Sequence, residues 1–197
     1  MNVSRETMVR LETYAALLKK WNPAINLVAK STIADLWGRH ILDSAQVFDL
    51  CPDETAYWVD FGSGGGFPGL VVAIMAAELR PEIRFTLVES DQRKATFLRT
   101  VVRDVGITVD IQGVRAEQIK PLGADVMSAR ALAPLSQLLP LAERHLKPAG
   151  SAILLKGAQA DAEIKEALAS WRFTVQKTKS KTEPQAVVLT IGDIVRA

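Results

Sequence analysis

The chain has 197 residues, 48% apolar and 23% charged, which suits one globular domain with its own core and excludes a disordered tail. A formal net charge of +2 excludes a protein that coats nucleic acid by charge alone, though not one that docks through a local basic patch. One cysteine, Cys51, excludes an internal disulfide, and the distant pair His40 and His145 has no metal-ligand spacing, so no metal is expected.

The first fifty residues read as helical. Ser4 suits an N-cap, and Met8, Leu11, Tyr14/Ala15, Leu18 and Trp21 then recur at three-to-four spacing. This predicts one helix with a buried face, ending at Asn22-Pro23. Residues 24–30 form a connector. A second helix is expected from near Thr32, with Asp35 in a variant capping box. Its apolar stripe runs through Ile33, Leu36/Trp37, His40/Ile41, Ser44 and Val47/Phe48, and it stops near Cys51-Pro52.

From Tyr57 the pattern changes. Short apolar runs at 57–61, 85–89, 109–112, 125–129 and 151–155 alternate with helical segments at 70–79, 92–105, 132–146 and 161–170. Such alternation predicts an α/β fold, a mostly parallel sheet with helices on both faces. The crossover at 116–123 is too short for a long helix and reads as mostly loop. The alternation then breaks. Residues 171–179 and 185–191 read as two strands joined through Thr182-Glu183-Pro184, which must pair antiparallel. The expected sheet is seven-stranded, with a C-terminal antiparallel hairpin at one edge. The expected organisation is a single domain, with residues 1–52 as a helical cap on a core of residues 53–197.

The segment Asp60-Phe61-Gly62-Ser63-Gly64-Gly65-Gly66-Phe67-Pro68-Gly69 lies between the first strand and the following helix. The glycines allow a tight turn and let a ligand touch the main chain. No Gly-Lys-Ser/Thr follows, so this is not a Walker phosphate loop. The dinucleotide G-x-G-x-x-G spacing is met only in part. Asp60 repels a pyrophosphate and attracts an ammonium group, which favours the methionine end of S-adenosylmethionine. Glu89, at the end of the second strand, is placed to accept the hydroxyls of a ribose. NAD shares that need, so Glu89 indicates adenosine binding without choosing between the two. The closing hairpin favours the Rossmann-like class I methyltransferase fold over a dinucleotide domain.

With these residues assembled, the chain resembles a known family, the bacterial 16S rRNA guanine-N7 methyltransferases called RsmG or GidB. The resemblance runs along nearly the whole chain. It is carried by Trp21-Asn22, Asn26-Leu27-Val28, Arg39-His40-Ile41-Leu42-Asp43-Ser44 and the glycine loop with its Gly66-Phe67-Pro68-Gly69 ending. Arg93-Lys94-Ala95-Thr96-Phe97-Leu98, Arg115-Ala116-Glu117, Ser128-Ala129-Arg130-Ala131-Leu132-Ala133 and Lys156-Gly157 complete it. Val28 departs from the threonine usual in the family's Asn-Leu-Thr stretch. The resemblance implies methyl transfer from S-adenosylmethionine to N7 of one guanine in small-subunit rRNA. It also implies cofactor contacts at Gly62, Phe67, Glu89-Ser90, Ala116-Glu117 and Arg130, beside the Asp60 and Gly64 already singled out.

Guanine N7 carries a lone pair in the neutral base, so the reaction needs alignment more than a general base. Arg130, at the end of the fourth strand, is expected to orient the base or its phosphate. Asn26, Arg39, His40 and Asp43 are expected in the cap over the cleft, with Asn26 and His40 joining Arg130 as the candidate catalytic residues. Arg39 and Asp43 are spaced to pair as i,i+4 on one helix, and His40 falls on the apolar stripe, where a core role competes with a catalytic one. Arg39, Lys94, Lys156, Lys177 and Lys179 are the expected RNA contacts, within a wider basic set that includes Lys181. The expected partner is 16S rRNA in the small subunit or its precursor. The N-terminus does not resemble a secretory signal and no apolar run would span a bilayer, so a cytoplasmic protein is expected, with a monomer as the default. Two other readings stay open at this point. One is an NAD-dependent oxidoreductase, for which no Tyr-x-x-x-Lys is present. The other is a catalytically silent adenosine-binding module that docks on the ribosome.

Overall fold

The computed structural model describes residues 2–197. Helix α1 (Arg5–Ile25) begins as expected, with the Ser4 side chain accepting from the Thr7 N–H at 3.2 Å. Leu11, Tyr14, Ala15 and Leu18 are buried along one face. The helix does not stop at Asn22-Pro23. Pro23 forfeits one intrahelical bond, to the carbonyl of Lys19, a residue on the exposed side, so the helix continues to Ile25. It ends at Asn26, which takes a left-handed conformation and donates its N–H to the Asn22 carbonyl at 3.0 Å.

The second expected helix is instead broken into short turns. These are a 3-10 turn at Lys30–Thr32, a π-helical segment at Trp37–Leu42, one turn of α-helix, α2 (Asp43–Ala45), and a 3-10 turn at Phe48–Leu50. The capping box does not form. Thr32 Oγ1 donates back to the Ala29 carbonyl, while Asp35 accepts from the Gly38 N–H. A π segment inside a helix often marks a functional site, because its wider turn re-aims side chains.

The sheet contains β1 (Tyr57–Phe61), β2 (Arg84–Val88), β3 (Asp110–Gln112), β4 (Ala124–Arg130), β5 (Leu146–Lys156), β6 (Trp171–Lys179) and β7 (Val187–Arg196). Their order is β3-β2-β1-β4-β5-β7-β6. The first five strands run parallel, and β7 is antiparallel to both β5 and β6. The seven-stranded α/β sheet with an antiparallel hairpin at one edge is therefore as expected. β7 runs on to Arg196 because its far end pairs with Trp171 of β6.

Helices α3 (Gly69–Leu79), α4 (Gln92–Val105), α5 (Leu135–His145) and α6 (Ala160–Ala167) complete the chain. All five residues of β1 are buried, as a central parallel strand covered on both faces requires. Trp58 faces one apolar cluster, with α1, α3 and α4. Tyr57, Val59 and Phe61 face the other, with α5 and Trp171. Helix α1 thus shares its core with the sheet. Residues 116–123 hold only a 3-10 turn at Ala116–Gln118. Helix α5 starts at Leu135 and not near Leu132, because Ala131 has φ 53° and Pro134 keeps Ala133 out of the helical region. Among the described residues, no helix is long and apolar enough to cross a membrane, and no cluster of His, Cys, Asp and Glu could hold a metal.

Candidate active site

The C-terminal ends of β1, β2 and β4 meet at the glycine loop. The loop is tied to β2 by the N–H groups of Gly62 and Ser63, which both donate to the Val88 carbonyl. Gly62 and Gly64 have φ of 64° and 54°. A side chain at Gly64 would meet only open space and the Gly62 carbonyl, so the glycine keeps the main chain bare toward the cleft. Glu89 closes the other side. One of its carboxylate oxygens accepts the Gly64 N–H and the other the Asp91 N–H, both at 2.8 Å. The residue also lines the cleft.

That cleft encloses about 570 Å³, and Gly62, Gly64, Phe67, Glu89, Ser90, Ala116, Glu117, Lys94 and Arg130 all line it. Asp60 does not. It is fully buried, and its Oδ1 accepts from Ser128 Oγ at 2.6 Å. Its Oδ2 lies against the main chain of Gly69. Burial raises its pKa to about 6, against the opposing pull of the Ser128 and Ser63 hydroxyls. The structure therefore does not bring Asp60 to the cleft wall with the other expected cofactor residues. A residue on a strand covered on both faces points into the core, and here it sits under Gly69 of the loop.

A second cavity of about 680 Å³ adjoins the first. The two share Leu27, Arg130, Ala131, Leu132 and Ala133 as a common wall. The second is further lined by Arg39, His40, Asp43 and Gln46 from the cap, by Lys156 and Glu163, and by Thr182 and Glu183 from the hairpin turn.

Arg130 stands at the seam. Its side chain is only 18% exposed and is held on three sides. One guanidinium nitrogen donates to His40 Nδ1 at 2.7 Å. The other donates to the Arg39 carbonyl at 3.1 Å and to Asp43 Oδ2 at 3.4 Å. The guanidinium carbon also lies 4.8 Å from the centre of the Phe67 ring. So buried a side chain is not a solvated surface arginine. Likewise, Arg39 and Asp43 do not pair with each other. Arg39 reaches Glu183 at 3.2 Å, and the π segment carries Asp43 inward to Arg130.

His40 is buried and satisfied at both nitrogens, its Nε2 lying 2.7 Å from Thr32 Oγ1. Its ring lies 5.0 Å from that of Phe67. It is thus both a satisfied core histidine and part of the cavity wall. Asn26 is exposed at the end of α1 and lines neither cavity. Lys156 is not a free cation. Its ammonium is buried, donating to Glu163 at 2.7 Å and to the Ala133 carbonyl at 2.8 Å. Lys177 pairs with Asp161 at 2.8 Å and Lys181 with Asp49 at 2.7 Å, whereas Lys179 is exposed with no ion pair among the described residues.

Comparison with known proteins gives a consistent answer. The family described as rRNA small subunit methyltransferase G matches residues 7–188. The chain belongs to this family. A relative from Ruegeria pomeroyi, "Ribosomal RNA small subunit methyltransferase G", is 53% identical over 196 residues, covering all of this chain and 96% of the relative. The relative of the same name from Paracoccus denitrificans is 48% identical over the full length of both. Among solved structures, M. jannaschii TYW2 in complex with AdoMet superposes with a TM-score of 0.60 at 12% identity, over 82% of this chain and 78% of that one. At that identity the match speaks to the Rossmann-like methyltransferase fold alone.

Several residues of the site escaped sequence reasoning. Tyr14 donates its hydroxyl to the Gly65 carbonyl at 2.5 Å, and its ring lies 5.4 Å from that of Phe67. Tyr14 falls on the apolar stripe of α1, and nothing in that stripe distinguishes a loop anchor from a core residue. Leu132 packs against Gly62, so a β-carbon there would lie 2.5 Å from a Leu132 methyl group. Thr182 and Glu183 carried turn signals only, with no sign that the turn lies against the cap. The basic character of Lys156 was visible, but its neutralising partner Glu163 was not.

Proposed function

We propose that the protein transfers a methyl group from S-adenosylmethionine to N7 of a guanine in 16S rRNA. The observation that carries this is Arg130 at the seam of two adjoining cavities, which we read as one for the cofactor's adenosine and one for the substrate base. Family membership supplies the substrate class.

The residues of the first cavity fit the cofactor. Glu89 offers carboxylate lone pairs to ribose hydroxyls, Gly62 and Gly64 expose bare main chain, and Ala116-Glu117 close the far side. When bound, S-adenosylmethionine supplies an electrophilic methyl group on a sulfonium. The protein's task is then orientation, because neutral guanine presents its N7 lone pair without losing a proton. Arg130 is the donor placed to hold the base by its O6 or its phosphate. His40 and Asp43 hold Arg130 in turn. No side chain is needed as a general base. The buried carboxylate of Asp60 supports the loop from below and leaves the ammonium to main-chain groups.

Residues 1–52 act as a cap of one methyltransferase domain, not as a separate unit. The partner is the small ribosomal subunit or its precursor, met by a cytoplasmic monomer through Arg39, Lys94 and the exposed Lys179.

The deciding experiment incubates the protein with methyl-labelled S-adenosylmethionine and, separately, 30S subunits, free 16S rRNA and protein, then maps the modified nucleotide. Label in N7-methylguanosine at one position supports the reading. Cofactor binding without transfer to any acceptor would leave a silent docking module in its place.

A further inference from the structure

The turn between β6 and β7 reaches back across the molecule to the cap. It is held in shape by its own bonds. Ser180 Oγ accepts the N–H groups of Thr182 and Glu183, and the Ser180 N–H donates to the Ala186 carbonyl at 3.0 Å. From this frame Thr182 Oγ1 donates to Asp43 Oδ1 at 2.6 Å, across 139 residues of sequence. That distance is in the short range of a charge-assisted O–H···O⁻ bond. Gln46 completes the clasp, donating to Asp43 Oδ1 at 2.9 Å and accepting the Lys181 N–H at 2.9 Å.

Asp43 is therefore fixed through Oδ1 from the turn, and its Oδ2 is left for Arg130. The same turn grips Arg39 through Glu183, and the Arg39 carbonyl is the other acceptor of that Arg130 nitrogen. Both routes end on the guanidinium at the seam. Asp43 and Arg130 are only 16% and 18% exposed, so solvent does little to screen the coupling.

We infer that Thr182 is a positioning residue for the methyl transfer, holding Asp43 so that Arg130 stays aimed at the substrate cavity. This rests on the reading of the site proposed above. The competing role is a structural clip that merely fastens the hairpin to the cap. The two differ in what they move. A clip changes stability, whereas a positioning residue changes turnover and the environment of Arg130.

The test compares Thr182→Val, Thr182→Ser and, as a control at the other end of the hairpin, Thr174→Val, which removes an exposed bond to Asp193. The valine variant at 182 is expected to lower kcat on 30S subunits at least about tenfold, the low end of the effect of losing one hydrogen bond to a charged group. Its KM for S-adenosylmethionine should stay within about twofold, since the turn does not line the cofactor cleft. The 15N signals of the Arg130 guanidinium and the His40 ring should shift in Thr182→Val, return in Thr182→Ser and stay still in Thr174→Val. Wild-type turnover with unmoved signals in Thr182→Val would overturn the inference. So would a loss of turnover that follows melting temperature and is not restored by serine. If the wild-type protein transfers no methyl group, the functional reading fails, while the 15N signals still decide whether Thr182 positions Arg130.

Discussion

Arg130 donates to Nδ1 of His40 at 2.7 Å, and this fixes the histidine's protonation state. Arginine has no lone pair to offer, so Nδ1 must be the acceptor and the ring proton must sit on Nε2. Nε2 then donates to Thr32 Oγ1, whose own proton goes to the Ala29 carbonyl. Every group in the chain has one consistent role. Protonating Nδ1 would break the first bond and set two cations face to face.

A pH dependence follows. Burial, then the Arg130 charge, lowers the His40 pKa from 6.5 to about 4. The unfolded chain binds the proton more tightly, so His40's contribution to stability is intact above pH 6.5. It is lost as pH falls toward 4 and constant below that. Asp60 has the opposite sign. Its raised pKa of about 6 makes the folded state the better proton binder, so its contribution grows as pH falls from 6 toward 3.8. The wild-type curve is a sum of both. Chemical denaturation of wild type and His40→Gln at several pH values should isolate the first, with the difference between them narrowing from pH 6.5 to 4. A difference that does not change across that window would refute the neutral assignment.

Arg130→Lys is expected to lower single-turnover methyl transfer on the order of 100-fold, the usual loss for one pre-organised donor at a reacting centre. A lysine ammonium cannot meet His40, Asp43 and the Arg39 carbonyl with the planar fork that the site uses. Cofactor affinity should change less, because Glu89 and the main chain of Gly62 and Gly64 remain and only the stack on Phe67 is weakened. Equal losses in rate and cofactor affinity would place Arg130 on the cofactor alone.

The parts of this molecule that sequence conveys are those set by near neighbours. The strand, the glycines and Glu89 form a local unit, and the cleft residues read from it lie together. The type and position of Asp60 suggest a ligand, while its direction depends on helices packed over both faces of β1. The breaks in the cap helix are not legible locally, because the turn at Asp43 answers to Arg130 and Ser180, which lie 87 and 137 residues away. Lys156 reads as a free cation because Glu163, its partner, lies on a different element. Helix α1 outran Asn22-Pro23 because a proline in a last exposed turn breaks a bond that water replaces.

Glu89→Gln should weaken S-adenosylmethionine binding by roughly 10- to 100-fold, the equivalent of about 1–3 kcal/mol for an unsatisfied buried group. The carboxylate now accepts from the Gly64 and Asp91 N–H groups on separate oxygens. An amide has one acceptor oxygen, and its NH₂ would face a second donor. The loop would shift even before the ribose contact is lost. Titration calorimetry measures this directly, and an unchanged affinity would remove Glu89 from the cofactor site.

Tyr14→Phe tests whether α1 supports the glycine loop. The ring stays in the core beside Phe67, but the Gly65 carbonyl loses its buried donor. A loss of about 1–3 kcal/mol in urea unfolding is expected, with weaker cofactor binding. Stability lost without any change in cofactor affinity would make Tyr14 a core residue only.

The basic residues separate by their partners. Lys179→Ala should reduce the slope of log K against log salt for RNA binding by about 1, because an unpaired exposed cation releases a counterion from a phosphate. Lys177→Ala should reduce it by less, since Asp161 already offsets that charge at 2.8 Å. Lys156→Ala should leave the slope alone and instead destabilise the fold by on the order of 3 kcal/mol. Glu163 would then be stranded without its ammonium, and its carboxylate also holds the N–H that opens α5. The three variants so compared distinguish a phosphate-binding surface from a buried ion pair. If Lys156→Ala flattened the slope while Lys179→Ala did not, the RNA would enter through the substrate cavity and not along the edge strand.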